Sequence, residues 1–270
     1  MTKDYWDFKL VYNRYMFMAL LIFIGFYPIN SIANDEVLLQ VSVDNTSLKL
    51  ATGTQYSPYI DTRLPNGGWS TAVVSAVFKH LQIDFSVETW PWSRVLVNTQ
   101  VELADGAFPY VETISRQQDF YYSQPINYVP VKVIAHEKVL ASNIEGLKNY
   151  TLCLPYGYTS TPELLKVISI NKTTQAPSTR DCLNKVAKGW ADIVLVNQYN
   201  EILKEQKYNE LKGLDIEMRQ VPLYFIVAKK HPRAQALIEL FNQGLNVIKQ
   251  NNVLDEINKQ YELLLKTEPG

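Results

Sequence analysis

Cysteine and histidine are scarce in this 270-residue chain, at two and three copies. Cys153 and Cys182 lie too far apart to make a metal site as a pair. His80, His136 and His231 are too scattered to supply one. Excess charge is missing too. Twenty-six Lys and Arg against 27 Asp and Glu give a formal charge of −1, which removes any electrostatic case for nucleic acid. No Gly-x-Ser-x-Gly elbow, phosphate-binding Gly-x-x-x-x-Gly-Lys loop or zinc-protease helix occurs. No catalytic residue, cofactor or metal is therefore nominated. Internal repeats and low-complexity segments are absent as well.

The amino terminus carries Lys3, Lys9 and Arg14, then an apolar stretch from Met16 to Tyr27, then Ser31-Ile32-Ala33. That order is a secretory signal over residues 1–33, with small side chains at a cleavage point before Asn34. An uncleaved membrane anchor is the competing reading, but the run is short for a span. Cleavage places the mature chain in the periplasm. It removes three basic and two acidic side chains, so the formal charge moves from −1 to −2. Both cysteines fall in the exported part, where oxidation is permitted. A Cys153–Cys182 disulfide is expected, with two buried free thiols as the alternative.

Short β-branched runs alternate with amphipathic ones, the pattern of an α/β fold. Strands are predicted at 48–52, 84–88, 103–108, 150–154 and 191–196. Helices are predicted at 70–81, from Pro91 through Thr99, and at 161–169, 180–188, 198–206, 232–248 and 253–264. Residues 109–116 read as a loop. Two extended runs, 128–136 and 220–229, each hold a proline and are too apolar for loops. They read as hinge crossings between two lobes. The organisation is then a 34–47 extension, the first part of lobe 1 at 48–129, lobe 2 at 130–222, and a return to lobe 1 at 223–266.

Five blocks in order carry a resemblance to family 3 of the bacterial extracellular solute-binding proteins. They are LATGTQYSPY (50–59) with Gly67-Gly68-Trp69 after it, ETWPWSRVL (88–96), ADGAFPYVETISRQQDFYYSQPI (104–126), GLKNYTLCLPYGYT (146–159) and KGWADIVLVN (188–197). The resemblance implies a two-lobed type II periplasmic binding fold with a ligand cleft between the lobes. It implies Arg116, spaced from Thr113, as the residue that binds a ligand carboxylate. Such a role suits a planar guanidinium fork. Tyr56 and Trp92 match the aromatic positions that sandwich the ligand body, while Trp69 and Trp90 read better as packing. On lobe 2, Gly157 to Thr161 precede a helix, where the amides and the Tyr158, Thr159 and Ser160 side chains can contact a ligand, or Ser160 or Thr161 can simply cap the helix.

Two positions depart from the family's amino-acid binders. Asn197 stands where an aspartate usually meets the ligand ammonium, and Val111 where a serine is frequent. The expected protein is a periplasmic binder of a small polar, carboxylate-bearing solute, an amino acid or related compound. It is expected to be monomeric and to serve an ABC permease. An orphan sensor for a membrane receptor is the alternative, and a dehydratase-like enzyme on the same fold a more remote one.

Overall fold

The computed structural model describes residues 47–54 and 56–267. The expected signal segment and extension lie outside the described residues, apart from Ser47. Among the described residues no helix is long and apolar enough to cross a membrane.

Lobe 1 is built on a five-stranded sheet. Strand β1 (Leu48–Thr52) lies between β2 (Phe85–Thr89) and β3 (Gly106–Tyr110), all parallel. β10 (Val221–Ala228) runs antiparallel to β3, and β4 (Phe120–Val129) pairs with β10 at the edge. The parallel pairs need crossover helices. They are α1 (Trp69–His80) and α2 (Trp92–Gln100), the latter capped by Pro91. Helix α1 buries Val73, Val74, Val77 and Phe78 on one stripe, the 3.6-residue periodicity legible in the sequence. Phe78 meets Phe225 of β10 and Phe241 of α6 (Ala234–Gln250), whose rings stack at 4.5 Å. Helix α7 (Val253–Thr267) adds Tyr261 to this core. Trp69 is stacked between Tyr59 and Tyr261 at 5.7 and 5.6 Å, and its indole N–H reaches Asn258, so it is a core residue.

Lobe 2 has its own five-stranded sheet, in the order β7 (Thr173–Ala176), β6 (Leu152–Pro155), β8 (Ile193–Asn197), β5 (Val131–Ala135), β9 (Lys212–Gly213). Strand side chains alternate between faces. Val133, Leu152, Leu154 and Ile193 pack on one side with Leu164, while Ile134, Cys153, Val194 and Val196 pack on the other with Leu183 and Val186. Both helices here are short, α4 (Pro162–Val167) and α5 (Thr179–Ala187).

Three expectations need correction. Pro109 and Tyr110 belong to strand β3, and Ile114–Gln117 form one helical turn, α3, so 109–116 is not all loop. Residues 198–206 make no α-helix but separate 3-10 turns, Glu201–Lys204 and Gln206–Tyr208. Asn200 accepts an N–H bond from Ile202 and so offers the backbone a turn in place of a helix. The crossings are also narrower than expected. β4 and β10 pair within the lobe 1 sheet from Phe120–Ala228 to Val129–Val221. The chain then passes between sheets at Pro130 on the way out and over residues 214–220 on the way back.

Cys153 and Cys182 form a disulfide, with Cα atoms 5.4 Å apart, tying α5 to β6. Closing a loop of 29 residues restricts the unfolded chain by about 3–4 kcal/mol. The double variant Cys153→Ser/Cys182→Ser is therefore expected to lose roughly that much unfolding free energy in a urea titration.

Lobe 1 is also pinned by Asp105. Its carboxylate accepts from the Lys49 N–H at 2.7 Å and from His231 Nε2 at 3.0 Å. His231 Nδ1 accepts from the Arg233 N–H, which leaves Nε2 to carry the donated proton. Burial pushes the Asp105 carboxyl up, but the His231 bond, the Lys49 N–H and the nearby cations outweigh it and hold it below the ordinary value. A carboxyl depressed on folding contributes stability above the unfolded pKa, and this contribution is lost as pH falls through the folded one. Asp105→Asn should thus be destabilised by about 1 kcal/mol at neutral pH. In thermal melts its deficit relative to the parent should close below about pH 4.

Candidate functional site

The carboxyl ends of the parallel strands in both lobes face one another. β1 ends at Thr52 and β3 at Tyr110 on lobe 1; β6 ends at Pro155 and β8 at Asn197 on lobe 2. In open α/β sheets this is the side where loops are free to build a site.

Arg116 stands at the seam. The turn α3 carries it, and the Thr113 side chain caps that turn by accepting from the Arg116 N–H at 3.2 Å. One terminal nitrogen of the guanidinium donates to the Val111 carbonyl at 2.8 Å, inside its own loop. The other donates across the seam to the Gly157 carbonyl at 2.8 Å. The group lies 5.3 Å from the centre of the Tyr110 ring. Burial lowers the pKa of Arg116, opposed by Tyr122 and Tyr110. Among the described residues no carboxylate pairs with it.

Aromatic side chains wall this position. Trp92 meets Tyr110 edge-on at 5.6 Å and Tyr56 at 6.0 Å, and its indole N–H donates to the Thr54 carbonyl. Tyr158 of lobe 2 meets Tyr56 edge-on at 6.1 Å. Trp90 is half-buried against the α2 face of the sheet. Desolvation raises the Tyr56 and Tyr110 phenols well above their ordinary value and pushes Tyr158 up to about 12, so all three remain neutral.

Two glycines make the approach possible. A Cβ on Gly53 would fall 2.0 Å from Trp92 Cδ2, so only glycine lets the indole lie on this strand end. Gly157 has φ +79° and turns its carbonyl toward Arg116, with its Cα beside Trp92.

Of the residues nominated from the sequence, Tyr56, Trp92, Arg116, Gly157 and Tyr158 come together. Thr113 positions Arg116 through its backbone. Thr159 makes only a long contact to the Ser160 carbonyl at 3.4 Å. Asn197 is buried with its amide fully engaged: Nδ2 donates to the Ser57 carbonyl of lobe 1 at 3.0 Å, and Oδ1 accepts from the Tyr199 N–H. Val111 contributes its backbone carbonyl. Asp192, at the start of β8, binds the Thr151 N–H and Lys138 at the far end of lobe 2.

The sequence reading did not nominate Thr52 and Tyr110, and it left Ser160 undecided between cap and contact. Thr161 is the cap of α4, accepting from the Leu164 N–H. The Ser160, Thr52 and Tyr110 hydroxyls are buried and have no hydrogen-bond partner. Thr52 and Tyr110 were findable as the last residues of parallel strands.

Two lobes with separate sheets, two crossings and a seam of strand ends define the two-lobed periplasmic-binding fold. Over residues 48–263 the chain matches the bacterial extracellular solute-binding proteins, family 3, and it belongs to that family. Among curated proteins there is no match. Similar solved structures include a histidine kinase sensor domain with similarity to periplasmic binding proteins. It has a TM-score of 0.66 and 16% identity, covering 79% of this chain and 95% of that one. The arginine-, lysine-, histidine-binding protein ArtJ of Geobacillus stearothermophilus has a TM-score of 0.64 at 16% identity, covering 80% and 94%. The BvgS periplasmic VFT2 domain of Bordetella pertussis has a TM-score of 0.65 at 18% identity, covering 83% and 96%.

If Gly53 is what seats the indole, Gly53→Ala must displace Trp92 from the seam. The expected result is a changed near-ultraviolet circular dichroism spectrum with the far-ultraviolet spectrum retained. An unchanged aromatic spectrum would contradict the packing.

Proposed function

We propose that this protein captures a small carboxylate-bearing solute between its lobes, with Arg116 as the anion anchor, and that it acts by binding and closure without chemistry. The observation that carries this reading is the half-buried guanidinium at the seam, fixed to its own loop on one edge and offered to lobe 2 on the other. A carboxylate there is a charged acceptor, stronger than the Gly157 carbonyl it would replace. Tyr56 and Trp92 would flank the body of the solute. Gly157, Tyr158 and Thr159 would close on it from lobe 2, and Thr113 would hold the anchor in place.

The lobes of this proposal are 48–129 with the return at 223–266, and 130–222. A solute that contacts both favours the closed arrangement over the open one. Asn197, bonded across to Ser57, would contribute to the closed state. Location in the periplasm rests on membership of an extracellular solute-binding family, and delivery to an ABC permease follows two further similar structures, substrate-binding proteins of amino acid ABC transporters. The sensor domains among those neighbours favour a second reading, in which the closed lobes signal to a membrane receptor.

Calorimetry on Arg116→Ala tests the anchor. With any solute bound by the parent, the variant should lose about 2–5 kcal/mol of binding free energy. Arg116→Lys should recover only part, since an ammonium cannot reproduce the planar fork. Small-angle scattering of the parent should show compaction with the same solute. Undiminished binding by Arg116→Ala would overturn the anchor.

A further inference from the structure

The seam holds one fixed cation and an unusual set of neutral partners. Around Arg116 stand the phenols of Tyr56, Tyr110 and Tyr158 and the Trp92 indole. The Thr52, Tyr110 and Ser160 hydroxyls, all buried, have no hydrogen-bond partner. Buried polar groups are ordinarily satisfied, and a hydroxyl left unpaired costs on the order of 1–3 kcal/mol. Thr52 and Tyr110 are the last residues of β1 and β3, and Ser160 lies in the loop whose Gly157 carbonyl meets Arg116, so three such groups on the strand ends and loop of the seam match a solute that is rich in oxygen.

Among the described residues, free negative charge is what the seam does not provide: Asp61, beside Ser57, is already held by Arg63 at 2.9 and 2.6 Å. The groups that act on the Arg116 guanidinium are Tyr122 and Tyr110, and none is an acid. Glu112 is the acid on the same loop. It acts on Tyr122 and Tyr224, but it is exposed and its carboxylate accepts from Gln117 Nε2 at 2.7 Å. Asp192 is held at the far end of lobe 2. Asn197, the amide at the seam-facing end of β8, is uncharged and engaged at both ends. An ammonium group brought into this seam would lose its hydration without gaining a counter-charge, and it would sit near the Arg116 cation.

From this arrangement we infer that the preferred solutes are hydroxylated carboxylates without an ammonium group, 2-hydroxy acids rather than 2-amino acids. The inference rests on the Arg116 reading and narrows it. The carboxylate takes the guanidinium, and the hydroxyl of the solute exchanges hydrogen bonds with the unpaired hydroxyls of Thr52, Tyr110 and Ser160. Each of these can donate or accept, as a solute hydroxyl can.

Matched pairs of L-configuration test this by calorimetry on the folded chain: lactate against alanine, phenyllactate against phenylalanine, 2-hydroxyglutarate against glutamate. The hydroxy acid is expected to bind at least about tenfold more tightly than its amino counterpart in the pairs that bind. The Ser160→Ala variant should narrow that preference while its melting temperature without solute is no lower than the parent's. The inference is overturned if an amino acid is the equal or tighter member of its pair, or if none of the hydroxy acids binds at millimolar concentration. Amino acids whose binding is lost in Arg116→Ala would sink the solute class and leave the anchor standing. Hydroxy acids bound equally well by Arg116→Ala would sink the anchor instead.

Discussion

A guanidinium taken out of water between two bodies is the constraint on which the rest of this site depends. Desolvation of a cation is costly unless acceptors replace its hydration. Here backbone carbonyls from two lobes share that task, Val111 beside Arg116 and Gly157 across from it. One side of the cation is therefore satisfied by local structure and the other by whatever closes the seam. In the proposed reading, a site of this design would distinguish acceptors by charge and shape and would couple their binding to the relation between lobes.

The lobes can support such coupling because each has its own core. The lobe 1 sheet packs Phe78, Phe225 and Phe241 on one face and Val95, Ala107 and Ile226 on the other. The lobe 2 sheet is covered on both faces too, with the disulfide tying α5 to β6. Among the described residues, only Pro130 and residues 214–220 pass between the sheets. Two short connections between separately packed bodies concentrate backbone change where few contacts must break. Hydrogen bonds from Tyr59 to the Tyr128 carbonyl and from the Gln198 N–H to the Pro130 carbonyl brace the first crossing.

The aromatic wall does more than add area. Tyr56, Trp92, Tyr110 and Tyr158 lower the local polarity, which strengthens any charge pairing at Arg116 and holds the phenols neutral. Gly53 is what admits the Trp92 ring to this wall, and Gly157, at φ +79°, is what turns a lobe 2 carbonyl toward Arg116. The wall and the anchor are thus assembled by backbone permissiveness at two positions.

Much of this was readable from the chain before folding was considered. The periodicity of Val73, Val74, Val77 and Phe78 defined α1, the β-branched run before Asn197 defined β8, and the export context of Cys153 and Cys182 favoured their pairing. The resemblance to family 3, carried by ordered aromatic and Thr-x-x-Arg blocks, marked Tyr56, Trp92, Thr113 and Arg116 as candidates. Other features could not be read in this way. Whether Asn197 meets a solute or Ser57, and whether Tyr110 ends a strand or sits in a loop, depend on neighbours 140 and 114 residues away, and whether Ser160 caps a helix or stands unpaired depends on what the fold packs around it. Side-chain identity fixes what a group can donate or accept. The partner is chosen by which strand ends the two sheets bring to one seam, and that is a property of the tertiary structure alone.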